Sequence, residues 1–317
     1  MMITDIDLRL LRVFRAVVDA GGFSNAQALL NVSQSTISTQ MAQLESRVGF
    51  RVCQRGRSGF KLTEQGDALY RHVVQLFQAL NQFQDRAHEL KGELSGCLRI
   101  GMLDNILTDA QCPLPSALRH FSEHPDNGVH IALEVLAPQE LEAALLDGRI
   151  DIAIGIFFNT LPGIALSPLH TERDVLVCHR DHTLASVKEP LLLQRGIADA
   201  RKVIRTFLGK RELGPLNTDD TSVFATVANV EAAAMLIQTG AYIGFIPEHY
   251  AKPWLDSGQW CPLLRDRYSR ESQFYLATRS TQQPPSAALA LFLQCLKLTQ
   301  GTPASPRIGA QPQYASG

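Results

Sequence analysis

Residues Phe23–Leu44 read FSNAQALLNVSQSTISTQMAQL. The stretch predicts two short helices joined by a tight turn. Ser24 is the expected N-cap of the first helix, which carries Ala26, Ala28, Leu29 and Leu30. Asn31 ends it, because asparagine tolerates the left-handed conformation. Ser33 caps the second helix, and Ile37, Met41 and Leu44 fall on one stripe at three-to-four-residue spacing. Gln34, Ser35, Thr36, Ser38, Thr39 and Gln40 are left on the outer face. They are polar, short and uncharged, a surface that fits a major groove and hydrogen-bonds to base edges. The competing reading is a solvated helical hairpin, so the flanking sequence has to decide.

The upstream flank, Asp7–Ala20, repeats Leu8, Leu11, Phe14, Val17 and Val18 at helical spacing and stops at Gly21-Gly22. Three helices around one small core are the scaffold of a helix-turn-helix domain. Downstream, Phe50, Val52 and Cys53 suggest one short strand, and Phe60, Lys61 and Leu62 another. Between them Arg55-Gly56-Arg57-Ser58-Gly59 makes a basic turn, a wing whose arginines suit a narrow minor groove. From Arg9 to Lys61 there are eight basic residues (Arg9, Arg12, Arg15, Arg47, Arg51, Arg55, Arg57, Lys61) against Asp19 and Glu45. The whole chain has a formal net charge of −1, so this surplus is local and fits a phosphate-facing surface.

Thr63-Glu64 opens a long helix on which Leu69, Val73, Leu76, Leu80, Phe83, Ala87 and Leu90 alternate steps of four and three. That heptad seam calls for a partner helix. The helix is ~40 Å long at 1.5 Å per residue. Its expected partner is the same helix of a second chain, the alternative being the chain's own second half. Past Gly92, apolar strand-like runs alternate with helical ones. The strands are 97–103, 129–136, 151–156, 175–179, 202–207, 241–246 and 273–278. The helices are 113–124, 138–146, 229–239 and 284–298. This alternation implies α/β architecture with largely parallel sheets, in two lobes. The tail, 301–317, is rich in Gly, Pro, Ala, Ser and Gln and reads as disordered.

At 317 residues, 45% hydrophobic and 19% charged, the composition is that of a soluble globular protein of two or three domains. No apolar run approaches the ~20 residues that span a bilayer, and the N-terminus lacks a signal core, so a cytoplasmic protein is expected. Cys53, Cys97, Cys112, Cys178, Cys261 and Cys295 form no CxxC motif. Buried reduced thiols are the default, and a redox pair brought together by the fold is the alternative. His120 and His124 have ligand spacing but no third partner, so no metal is expected. There is no phosphate loop, dinucleotide fingerprint or nucleophile elbow, and an enzyme is not expected.

Together these features resemble the LysR-type transcriptional regulators. The resemblance rests on Leu8-x-x-Leu11-x-x-Phe14, Phe23-Ser24-x-Ala26, Val32-Ser33-Gln34-Ser35, Ile37-Ser38, Leu44-Glu45 and Leu62-Thr63-Glu64-x-Gly66. In the second half it rests more loosely on Leu145–Ile154, His182-x-Leu184-Ala185 and Gly240-x-x-x-Gly244-Phe245-Ile246-Pro247. It implies a winged helix-turn-helix over 1–63 and a linker helix over 64–91 that forms an antiparallel coiled-coil dimer, often within a tetramer. It also implies a two-lobed effector region over 92–300, like the periplasmic solute-binding proteins. Lobe I then takes about 92–162 and 269–300, and lobe II about 163–268. Double-stranded DNA, a small-molecule effector, a second copy of the chain and RNA polymerase are the implied partners; no cofactor is.

By the same resemblance Gln34 and its neighbours read bases, and a wing arginine contacts DNA. Thr39 departs from the pattern, since a basic residue is usual there, and so does Cys53-Gln54 at the start of the wing. The effector is expected between the lobes near Asp104, Asn105 and Thr108, where the family usually has a Ser or Thr after the first strand. Asp104 either favours an amine or a donor-rich ligand from within the cleft, or caps the loop or bonds to backbone. Phe157, Asn159, Arg205, Thr206, Asn229 and Phe245 are the other candidates. Arg205 either forks a ligand carboxylate or pairs with Asp104. The alternative function is a small-molecule-binding or interaction protein with a helical appendage that does not bind DNA.

Overall fold

The computed structural model describes residues 4–56, 59–90, 94–158, 161–216, 223–280 and 284–299. Arg57, Asn159 and the tail 301–317 lie outside the described residues. The chain forms two compact units, residues 1–87 with 147–149, and residues 88–146 with 150–317.

The first unit opens with α1 (Asp5–Asp19), α2 (Phe23–Leu30) and α3 (Gln34–Val48). Leu10, Leu11, Phe14 and Val17 of α1 meet Ile37, Met41 and Leu44 of α3 in one core, the last three without exposed surface. Gly21 and Gly22 end α1 through backbone bonds to Val18 O and Val17 O, both 2.9 Å. Ser24 is not the cap of α2. The cap is Gly22, whose φ of 150° turns the chain so that Phe23 packs edge-on against Phe60, with ring centroids 5.9 Å apart. Asn31 is left-handed at φ 52°, as expected.

A buried carboxylate takes part in an ion pair of this unit. Asp7, with no exposed surface, takes the Arg47 guanidinium from α3 through both carboxylate oxygens, and the Thr4 N–H and hydroxyl at 2.8 and 2.7 Å. The Arg47 hydrogen bond, then that of Thr4, holds the Asp7 carboxyl well below the usual range.

The wing follows as the antiparallel pair β1 (Cys53–Gly56) and β2 (Gly59–Leu62), with Arg55 opposite Phe60. Then comes α4 (Glu64–Glu89). Gly66 is required at its start, because a Cβ there would lie 1.9 Å from the Val52 carbonyl oxygen. The seam on α4 is not wholly reserved for a partner. Val73 is buried, and Leu69, Leu76 and Leu80 pack partly, on the chain's own winged-helix core. Farther along, Phe83 is 71% and Leu90 90% exposed.

In the second unit β3 (Leu94–Met102) runs parallel to β4 (Asn127–Val135) and to β5 (Ile152–Gly155). Packed with these strands are α5 (Leu114–Ser122), α6 (Pro138–Leu146) and α10 (Ala287–Thr299), the lobe I core. Lobe II pairs β7 (Lys202–Arg205) in parallel with β8 (Val223–Val227) and with β9 (Ile243–Pro247). Its helices are α7 (Pro190–Asp199), α8 (Val230–Gln238) and α9 (Glu248–Asp256). Two long antiparallel strands, β6 (Ile164–His179) and β11 (Ser269–Arg279), serve both lobes, and the short β10 (Trp260–Pro262) pairs with β6.

The sheet order β4-β3-β5-β11-β6-β9-β7-β8 corrects the expectation of largely parallel sheets. Each lobe is parallel inside, but β5, β9 and β10 meet the crossing strands antiparallel. The sequence reading also missed the first half of β6. Its ladder with β11 shifts register at Phe274/Tyr275, opposite Pro168 and His170. A bulge there tolerates a proline in a central strand.

Where β6, β7 and β11 come together, Asp174 has no exposed surface. Its Oδ2 accepts from Arg205 at 2.9 Å and from Arg270 Nε at 3.1 Å. Arg205 also donates from Nε to Glu212 Oε1 at 2.8 Å, and from its backbone N–H to Oε2. Burial pushes the Asp174 carboxyl up, but Arg205 and Arg270 outweigh it and hold it below its ordinary value. At Glu212 burial wins, and the pKa is raised. Arg205 is therefore no free fork for a ligand and does not pair with Asp104; its guanidinium is 3% exposed and committed to two carboxylates.

Arg205→Ala leaves Asp174 and Glu212 buried beside a missing cation. We expect a loss of roughly 3–5 kcal/mol in equilibrium unfolding, and a loss under about 1 kcal/mol would contradict the network. Asp7 gives a pH signature. Its depressed pKa contributes stability that is full above the ordinary carboxylate range, about pH 4, and lost as pH falls below it toward the native value. Asp7→Asn should lower stability at neutral pH and flatten the acid limb of an unfolding-versus-pH curve. An unchanged acid limb would show that Arg47 does not depend on this charge.

Candidate DNA-reading helix and effector junction

The outer face of α3 is built from its cap inward. Ser33 Oγ accepts the Thr36 N–H at 3.2 Å and lies 2.8 Å from Ser35 Oγ and 2.9 Å from Thr36 Oγ1. These hydroxyls close the helix start, which otherwise leaves its first N–H groups bare. Gln34, Ser35, Thr36 and Thr39 are exposed. Thr39 bonds back to Ser35 O at 3.0 Å, so its hydroxyl is partly taken by its own helix. Ser38 and Gln40 are only half-buried members of the set, and Gln40 Oε1 is turned out of solvent with no hydrogen-bond partner. Ser24 is exposed in the first turn of α2. Gln34 thus carries the longest unencumbered amide on this face.

The wing is tied to the same helix. Glu45 Oε1 on α3 accepts the Val52 N–H at 2.9 Å, and Thr63 donates its N–H to Val52 O at 3.1 Å and its hydroxyl to Arg51 O at 2.7 Å. The base of the hairpin is held between α3 and α4.

In the second unit the candidates separate into two kinds. Phe157 and Phe245, 8% and 1% exposed, belong to the cores of lobes I and II. Asp104 does not stand free in the cleft. Its Oδ2 accepts the Val230 N–H at 2.8 Å, at the first residue of α8, while Asn229 Oδ1 caps the same helix through the Ala232 N–H at 2.9 Å. A carboxylate is favoured at a helix N-terminus. The alternative that Asp104 bonds to backbone is therefore the one the structure shows, and the backbone it meets is that of α8, in the other lobe. Asn105 is left-handed at φ 64°. Thr108 Oγ1 lies 2.8 Å from His249 Nδ1 on α9. Thr206 is exposed, its N–H on Val227 O at 2.8 Å. Asp104, Asn105, Thr108, Asn229 and His249 thus meet where the lobe I loop faces the starts of α8 and α9.

Sequence reasoning missed the buried polar groups beneath this junction. His170 Nε2 lies 3.0 Å from Asp109 Oδ2, and His249 Nε2 lies 3.0 Å from Glu172 Oε2. His170 stacks on Phe274, with ring centroids 4.7 Å apart. Burial alone pushes Asp109 up, but its bonds to His170 and the Gln111 N–H leave it lowered; at Glu172 burial prevails and the pKa is raised. His170, Glu172 and Asp174 alternate along β6, a period-two polar face that could have been found had that segment been read as a strand.

Residues 91–300 match the family described as LysR substrate binding domain, and residues 8–67 match the bacterial regulatory helix-turn-helix protein, lysR family. The chain is 32% identical over 297 residues to the HTH-type transcriptional activator BauR of Pseudomonas aeruginosa, covering 94% of this chain and 96% of that one. In fold it is similar to CbnR in complex with its target DNA (TM-score 0.61, 22% identity, 92% and 99% of the two chains). It is also similar to LysG from Corynebacterium glutamicum with bound effector Arg (TM-score 0.52, 20% identity, 92% and 97%). A helix-turn-helix with a bare polar helix start, joined to a two-lobed substrate-binding domain, matches these families along nearly all of its length: the chain belongs to the LysR family of bacterial transcriptional regulators, which bind DNA and respond to a small-molecule effector.

Proposed function

We propose that this regulator acts in the cytoplasm as a dimer or tetramer, and that α3 of each copy reads one half-site of an interrupted inverted repeat. The reading rests on one observation: the polar start of α3 is capped and exposed, while its opposite face is locked at Ile37, Met41 and Leu44. Gln34 reads base edges, with Ser35, Thr36 and Thr39 beside it, and the wing arginines Arg55 and Arg57 neutralise phosphate or enter the minor groove. Two-fold pairing through the exposed end of α4, where Phe83 and Leu90 lie, spaces the heads.

The effector sits at the meeting of Asp104, Asn105 and Thr108 with Asn229 and His249, and Thr206 is exposed beside Val227. A ligand there competes with the Thr108–His249 and Asp104–Val230 contacts and shifts the balance between lobe arrangements. No catalytic step, cofactor or metal belongs to this reading. RNA polymerase, supplied by the family resemblance, is the further partner.

On DNA from upstream of its own gene, the full-length protein should bind selectively, with an affinity that falls steeply with salt. Gln34→Ala should cost about 1–3 kcal/mol of discrimination between cognate and altered sites, whereas Arg55→Ala should weaken all sequences alike and flatten the salt slope by about one. Equal losses on every sequence from both variants contradict the assignment. For the effector, a thermal-shift screen of metabolites should find a compound that raises the unfolding midpoint of the intact chain. Thr108→Ala should weaken that shift, and a full shift in Thr108→Ala would move the site elsewhere.

A further inference from the structure

Two of the six cysteines, distant in sequence, face each other across a ladder. β6 and β10 run antiparallel, with Cys178 directly opposite Cys261, between the pairs His179 with Trp260 and Val177 with Pro262. The Arg180 N–H donates to Gln259 O and the Leu263 N–H to Leu176 O, both at 2.8 Å, two residues to either side. Bonded pairs recur at every second residue of an antiparallel ladder. Cys178 and Cys261 therefore occupy a bonded pair, with Cα atoms about 5.5 Å apart and side chains on the same face. Disulfides span Cα separations of about 4.4–6.8 Å.

The Cβ atoms of such a pair, about 5.5 Å apart, must draw in by about 1 Å to reach disulfide spacing. β10 is suited to that movement: it has three residues and, among the described residues, pairs only with β6. No other described ladder sets two cysteines opposite each other; Cys53 faces Leu62 and Cys97 faces His130. The two thiols differ in access. Cys178 has no exposed surface, and Cys261 is half-buried. Burial, and then the neighbouring Cys261, push the Cys178 thiol up to about 12. Cys261 is the sulfur that an oxidant in solution meets first.

We propose that Cys178 and Cys261 form a dithiol modification site, which a hydroperoxide converts into an intrachain disulfide. The Cys261 thiolate attacks a peroxide oxygen; the O–O bond breaks, and the leaving oxygen takes a proton to become water. Cys261 is left as a sulfenic acid. Cys178 gives up its proton and attacks Cys261 Sγ; the S–S bond forms, the S–O bond breaks, and the hydroxide leaves as a second water. The two thiols lose two electrons in total, and one hydrogen peroxide is reduced to two waters. The bond fastens β10 to β6 and closes a loop that contains β7, β8, β9, α7, α8 and α9. That closure constrains the unfolded chain and so favours the folded lobe II.

The test treats full-length protein with graded hydrogen peroxide, alkylates the remaining thiols and maps the peptides by mass spectrometry without reduction. The expected result is the loss of two of the six thiols, one peptide linking Cys178 to Cys261, a raised unfolding midpoint, and return of both thiols with dithiothreitol. Cys261→Ser, at the half-buried position, should fold and give no linked peptide. The proposal is overturned if Cys178 stays free while Cys261 goes on to sulfinic acid. It is equally overturned if the linked peptide joins another pair, or if both thiols survive peroxide that oxidises an exposed model thiol.

Discussion

Asp174 sits on β6 without contact with water, held by Arg205 from β7 and Arg270 from β11. A charge in such a place must be neutralised where it lies, because the cost of stripping its water is otherwise several kcal/mol. Three strands from two lobes are thereby required to converge on one oxygen atom. Ladder hydrogen bonds set register along a strand pair. The ion network sets how the crossing strands stand against lobe II, and Glu212 extends it to the turn Gly209–Leu216. The same commitment leaves the Arg205 guanidinium paired to Asp174 and Glu212 rather than free.

The N-terminal unit uses the same device on a smaller scale. Asp7 on α1 and Arg47 on α3 join the ends of two helices whose middles are joined by Phe14, Ile37, Met41 and Leu44. Helices fixed at both points hold the first turn of α3 in one orientation. Glu45 carries the constraint on to the wing through the Val52 N–H. Gly66 lets α4 start against that same residue.

Much of this was legible beforehand where a single periodicity ruled. The three helices, the wing and α4 followed from three-to-four-residue spacing bounded by glycine, asparagine and serine. In the second unit β3, β4, β5 and β9 were legible as apolar runs. Legibility failed where polar residues interrupt a strand. The first half of β6 carries Pro168, His170, Glu172 and Asp174 because it crosses the lobe junction, so its pattern resembles a loop. α7 and α9 were also missed, α9 with Pro253 inside it. The heptad seam was read correctly as a stripe, but half of it is spent on the chain's own core, which no spacing could reveal.

By itself the sequence determined what depends on nearest neighbours along the chain: which segments are helical, where Ser33 and Asn31 begin and end them, and the family to which the helix-turn-helix motif belongs. Only the tertiary structure decided pairings between distant residues. Asp104 reaches α8 at Val230, Arg205 is claimed by Asp174 and Glu212, Phe157 and Phe245 disappear into cores, and Cys178 comes to lie opposite Cys261. The reason is that a local pattern encodes backbone preference and the side that seeks burial. The partner a charge or thiol meets there depends on the register of strands far apart in the chain.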